Sequence, residues 1–161
     1  MSNRLEDYAL VGDMQTAALV SREGSIDWLC LPRFDSDACF AALLGDGAPE
    51  RNGRWSICPR GGARNARRRY RTDTLILETE LDGDEGTIRI ADCMPPRDRD
   101  PDLVREVECV RGRVEIDFAL AKGPKLEVVA AGIVGEKSPE ADLVVTPWPS
   151  DHRATYAKVK F

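Results

Sequence analysis

The chain has 161 residues, 42% hydrophobic and 32% charged, with a formal net charge of −5. That composition suits a water-soluble folded domain long enough to bury a core, and the acidic balance argues against nucleic acid or a membrane surface as partner. No apolar run approaches the roughly 18 residues of a membrane span, and the first residues lack the charged-then-apolar layout of a secretory signal. The five cysteines include no C-x-x-C pair, which speaks against a zinc site or a disulfide framework and makes a reduced cytoplasm the expected location.

Strand signals dominate in chain order. "YALVGD" and "TAALVS" are short apolar runs, and "REGS" (22–25) predicts a tight turn with Gly24 free to take positive φ. "SIDWLCLP" alternates, with Ile26, Trp28, Cys30 and Pro32 facing one way and Asp27, Leu29 and Leu31 the other. "DSDACFAALLGDG" is the helical candidate, with Asp35 or Ser36 as cap and Gly45 as stop. "RWSICP", "RRRYRTD", "TLILETELD" and "TIRIADCMP" follow as strands, and "DGDEG" (82–86) predicts a hairpin turn. In "TLILETEL", Leu75, Leu77, Thr79 and Leu81 share one face while Ile76, Glu78 and Glu80 share the other. "LVREVECVRG" and "RVEIDFAL" read as two strands split by Gly112, and "KLEVVAAGIVG", "DLVVTP" and "TYAKVKF" complete the set. The whole predicts an all-β chain, a two-layer antiparallel β-sandwich with one or two short helices, in a single domain over 1–161.

The stretch "RGGARNARRRYR" (60–71) carries six arginines. Phosphate contact is one reading; a solvated strand edge whose charges discourage edge-to-edge pairing is the other, and the acidic surplus elsewhere favours it. Trp28, Phe34, Phe40 and Trp55 are read as packing residues rather than a sugar-stacking platform, because aromatic side chains supply much of the buried area in a small sandwich.

Several blocks are specific enough to carry a resemblance. "EDYALVGDMQTAALVSREGSIDWLCLPRFDSDACFAALLGD", "GRWSICP", "RRRYRTDTLILETEL", "GTIRIADCMPPR" and "DLVREVECVRGRV" resemble, in this order, the opening of bacterial glycoside hydrolase family 15 proteins, the glucoamylase-like and trehalase-like enzymes. The similarity covers roughly residues 5–114. It implies an N-terminal β-sandwich that packs on a following α/α barrel, with the acid and base glutamates in the barrel. Inverting glycoside hydrolysis needs two carboxyls facing each other across a sugar and a water. The resemblance does not place Asp27, Asp35 or Asp92 in those roles, so a non-catalytic domain is implied, with a catalytic barrel as its missing partner.

Beyond Val114, "EIDFALAKGPKLEVVAAGIVGEKSPEADLVVTPWPSDHRATYAKVKF" resembles the C-terminal end of the endonuclease/exonuclease/phosphatase superfamily. That resemblance implies a metal-dependent phosphodiesterase remnant. His152, the sole histidine, would contact phosphate or act as base; Asp117 would orient its imidazole, and Asp151 would stand beside a Mg²⁺ ion. The superfamily's Asp-x-Asn pair is missing, and Asp117, Asp151 and His152 alone are a poor octahedral ligand set, so the chain is not expected to be active by itself and no cofactor is expected. A chimeric or recombined chain, in which residues 115–161 supply strands that complete the sandwich, fits both resemblances. Strand exchange in a homodimer is the alternative way of closing open edges.

Overall fold

The structure is a computed structural model that describes residues 4–45, 52–121, 127–134, 141–146 and 154–160, with backbone alone beyond Leu120. Its strands are β1 (Tyr8–Gly12), β2 (Ala17–Ser21), β3 (Ser25–Cys30), β4 (Ala38–Phe40), β5 (Arg54–Pro59), β6 (Asn65–Tyr70), β7 (Leu77–Asp82), β8 (Gly86–Cys93), β9 (Val104–Ala121), β10 (Glu127–Val134), β11 (Ala141–Thr146) and β12 (Ala154–Lys160). One large sheet runs β1-β2-β3-β5-β9-β8-β7-β6, with β4 added to β3 and β11 added to β9. Every pairing is antiparallel except β11 on β9. β10 and β12 form a separate antiparallel pair.

The all-β expectation therefore holds, in a particular form: the two layers are opposing parts of one curled sheet. Apolar residues of β1–β3 and β5 (Val11, Val20, Ile26, Leu29, Trp55, Ile57) meet those of β7–β9 (Leu77, Leu81, Ile88, Ile90, Val107, Ile116) in one core. Period-two alternation puts these side chains on the concave face, where each contributes about 1.5–3 kcal/mol by leaving water.

The predicted turns form. Gly24 takes φ +82° and donates its N–H to Ser21 O at 3.1 Å. The β7–β8 hairpin closes with Gly83 N–H donating to Gly86 O at 2.9 Å. In β7, Leu77, Thr79 and Leu81 are buried as the alternation requires, whereas Leu75 precedes the strand and is half exposed.

Three local readings are corrected. The expected helix over 35–45 is instead β4 followed by a 3₁₀ turn, Ala42–Leu44. Leu29 of β3 pairs with Phe40 and buries it completely, so cross-strand pairing overrides the local helical pattern. A second 3₁₀ turn among the described residues lies at Leu5–Asp7. In β3 the clean division of faces fails: the register slips opposite Leu19/Val20, and Ile26 and Leu29, three apart, both enter the core. A bulge at Asp27 shifts the phase by one residue. Finally, Gly112 does not split two strands but sits inside the single strand β9 at φ +69°. Before it, buried positions are odd (Arg105, Val107, Cys109); after it they are even (Val114, Ile116). An extra residue at a bulge makes that parity change, since one added residue turns every later side chain to the other face.

The described part of residues 115–161 contributes the end of β9, which pairs with β5, together with β10, β11 and β12. β11 pairs with residues 112–117 of β9, and β12 runs close to β9.

Candidate functional site

Asp117 lies in the second half of β9, opposite Cys58 of β5 on one side and Thr146 of β11 on the other. Its carboxylate is exposed and faces Arg60, whose Nε is 3.6 Å away; the same guanidinium is held by Glu115 at 2.5 Å. Arg60 and Glu115 also line an open cleft of about 470 Å³ with Asp84, Glu85 and Arg113. The charges there are mixed in sign and largely compensate one another. Asp151 and His152 lie outside the described residues.

The carboxylates of the front part have structural partners. Asp27 accepts from the Tyr8 hydroxyl at 2.8 Å and the Ser25 hydroxyl at 2.5 Å. Asp35 pairs with Arg33 at 3.2 Å on the surface. Asp92 is fully buried and receives Arg105 Nε at 2.7 Å and Nη2 at 3.2 Å. Arg105 also donates Nη1 to Trp55 O at 2.7 Å and Nη2 to Gly24 O at 2.9 Å, while its guanidinium lies 5.3 Å from the centroid of the Trp55 ring. Sequence reading missed Arg105; what could have flagged it is its odd-numbered place beside Val107 and Cys109.

Glu78 and Glu80 belong to a cross-strand ladder on the outer face. Arg69 and Arg71 hold Glu78 at 3.0 and 2.8 Å, and Arg89 holds Glu80 at 2.9 Å. Arg67 holds Asp82 at 2.8 Å. The arginine-rich stretch thus spends much of its charge on neighbouring strands. No group of three or more His, Cys, Asp or Glu among the described residues could hold a metal ion. The five cysteines are free; burial, the main cause, pushes the Cys58 and Cys93 thiols upward, away from a reactive thiolate.

The aromatic set divides. Phe40 and Trp55 are core residues, Trp28 is half buried, and Phe34 stands 63% exposed. Phe34 N–H donates to Gln15 O at 3.1 Å, which ties its loop to the β1–β2 turn. In that turn Asp13 Oδ1 accepts from the N–H groups of Gln15 and Thr16 at 2.9 and 2.8 Å, and Met14 projects outward at φ +73° and 82% exposure. Arg97, from the β8–β9 loop, brings its Nε within 3.0 Å of the buried Asp13 Oδ2. Three loops are therefore tied together here, and two of them carry an exposed apolar side chain, Met14 and Phe34. Sequence reading missed Asp13, Met14 and Arg97, because loop polarity alone does not reveal which loops meet.

The amino-acid sequence, compared with known proteins, has clear relatives. Residues 1–146 match the family described as trehalase-like, N-terminal. The chain belongs to that family. As a trehalase-like N-terminal domain it is 34% identical over 131 residues to a trehalase of Mycolicibacterium smegmatis, a stretch covering 70% of this chain and 19% of that protein. It is 31% identical over 156 residues to a trehalase of Mycobacterium tuberculosis, covering 85% of this chain and 22% of that one. A more distant relative, trehalase 2 of Sulfolobus acidocaldarius, shares 34% identity over 89 residues, 55% of this chain and 14% of its own length. The trehalase-like N-terminal domain thus spans about a fifth of the mycobacterial relatives it matches. No solved structure matches it. The family match continues past Val114 through Thr146, across the part of β9 that holds Asp117 and on through β11; the phosphodiesterase resemblance of this region gains no support. Among the described residues no helix is long and apolar enough to cross a membrane.

Proposed function

We propose that this chain is the non-catalytic front domain of a trehalose-cleaving enzyme, and that it works by packing against a catalytic domain and shaping it. The family match over residues 1–146 carries this reading. The chemistry of the described residues supports it: Asp27, Asp92 and Glu78 are held by hydroxyls or guanidinium groups, as structural carboxylates are. Met14 and Phe34 at the convergent loops are the surface offered to the catalytic domain, since exposed apolar side chains on a rigid, ion-paired base suit a docking contact. Residues 1–161 act as one unit in this reading, with β11 extending the front sheet. The five free cysteines accord with a cytoplasmic location.

The test is enzymatic. The 161-residue chain incubated alone with trehalose is expected to release no glucose. Added to the remaining four fifths of the Mycolicibacterium smegmatis trehalase, it is expected to raise that fragment's activity, and Phe34→Asp is expected to weaken the effect about tenfold. Glucose release by the chain alone would refute the reading. The same chain with a chromogenic phosphodiester and Mg²⁺ is expected to be inert; turnover abolished by His152→Ala would restore the set Asp117, Asp151 and His152 to a catalytic role.

A further inference from the structure

Among the described residues the path of the large sheet ends at β1 and β6, and no ladder joins these two strands. In an antiparallel pair the residues alternate between those bonded to the partner and those whose N–H and C=O point away. Asp13 N–H donates to Thr16 O, directly across the β1–β2 pair. The parity of the ladder then assigns Ala9 and Val11 to bonds with β2, and turns the N–H and C=O of Leu10 outward along the open edge. An exposed row of this kind is a template on which another strand can pair.

Tyr70, the last residue of β6, occupies that position. Its hydroxyl accepts from Leu10 N–H at 3.0 Å and donates to Leu10 O at 2.8 Å, so one side chain satisfies both outward groups of the edge residue. Two residues earlier, Arg68 donates to Val20 O on β2 at 3.3 Å. The two edges are therefore stitched by side chains where a closed barrel would use backbone. Leu10 and Tyr70 remain 45% and 42% exposed, so the seam is open to solvent and to another chain.

We propose that the Tyr70 hydroxyl is a latch: it closes the curled sheet along the β1–β6 seam and keeps the outer edge of β1 from pairing with β1 of a second copy of this chain. Phenylalanine at this position keeps the ring and removes both hydrogen bonds, leaving the edge groups of Leu10 available to a strand. The latch is independent of the partner suggested by Met14 and Phe34.

The experiment uses the full 161-residue chain. At a dilution where it is monomeric, the Leu10 amide of Tyr70→Phe is expected to exchange with solvent about tenfold faster than in the wild type, while the Ile90 and Val107 amides of the core keep their rates. Sedimentation of the variant is expected to show a species of doubled mass that grows with concentration beyond any seen in the wild type. A Leu10 rate within twofold of wild type overturns the latch, and faster exchange with unchanged sedimentation overturns its protective role. The wild type supplies a check that needs no variant: a Leu10 amide exchanging at the unprotected rate while the core amides stay protected also overturns the proposal.

Discussion

Arg105 shows how much one side chain can tie together. It is fully buried, and its donors are shared between Asp92 and the carbonyl oxygens of Trp55 and Gly24. A buried guanidinium costs several kcal/mol to desolvate, and it is tolerated here because carboxylate, carbonyls and the Trp55 face all compensate it. Arg105→Met removes the cation and leaves Asp92 as an unpaired buried group. We expect a loss of about 3–5 kcal/mol in urea unfolding, with part of the loss recovered when Asp92→Leu is added. If the single and double variants lose the same stability, Asp92 is not the reason the arginine matters. The lesson for sequence reading lies in the same residue: a charged letter in an alternating strand is assigned to water by default, and only the odd-numbered buried row of β9 contradicts that.

Gly112 decides the shape of the longest element. At φ +69° it pairs with Gly86 just beyond the bulge, where Val110 is the extra residue that switches β9 from odd to even inner positions, so the strand serves β8 with its first half and β5 with its second. A Cβ there would collide with Glu85 O, and a Cβ added to Gly86 across the ladder would collide with Arg111 O. Gly112→Ala is therefore expected to cost about 2–3 kcal/mol, combining backbone strain with the clash. Gly61→Ala is the control, because Gly61 shares a positive φ of +81° but a Cβ added there would meet nothing within 4 Å; its thermal midpoint should fall distinctly less. Equal falls would show that φ alone matters at the bulge. Glycine in the sequence signalled an interruption, which read as a strand end. The buried parity on either side of it shows a bulge instead, and the distinction needs the partner strands.

Across the whole molecule, the outer face of β6–β9 is an electrostatic sheet. The Arg67 guanidinium, chiefly through its hydrogen bond, and then the Thr87 hydroxyl hold the Asp82 carboxyl down to about 2, below its ordinary 3.8. Arg71, first among several causes, lowers Glu78 from its ordinary 4.5. Groups whose folded values are depressed stabilise the fold above their unfolded values and lose that contribution as pH falls through the folded ones. The urea midpoint should therefore drop as pH falls from about 5 toward about 2, and added salt should reduce the drop because the pairs are partly exposed. A midpoint unchanged over that range would mean that the ladder contributes nothing to stability.

The period-two pattern, the turn at Gly24 and the hairpin at 82–86 were legible from residues alone, because side-chain alternation and turn preference follow from local covalent geometry. So was the solvated, strand-forming character of the arginine-rich stretch, along with the family to which the opening blocks belong. The fate of Phe40, the partner of Arg60 beside Asp117, the convergence of Asp13, Phe34 and Arg97, and the Tyr70 seam were decided only by tertiary structure. Leu10 and Tyr70 are 60 residues apart in sequence. Contacts at that range depend on how the sheet twists and curls and on which strands it brings face to face, and no short window of sequence contains that geometry.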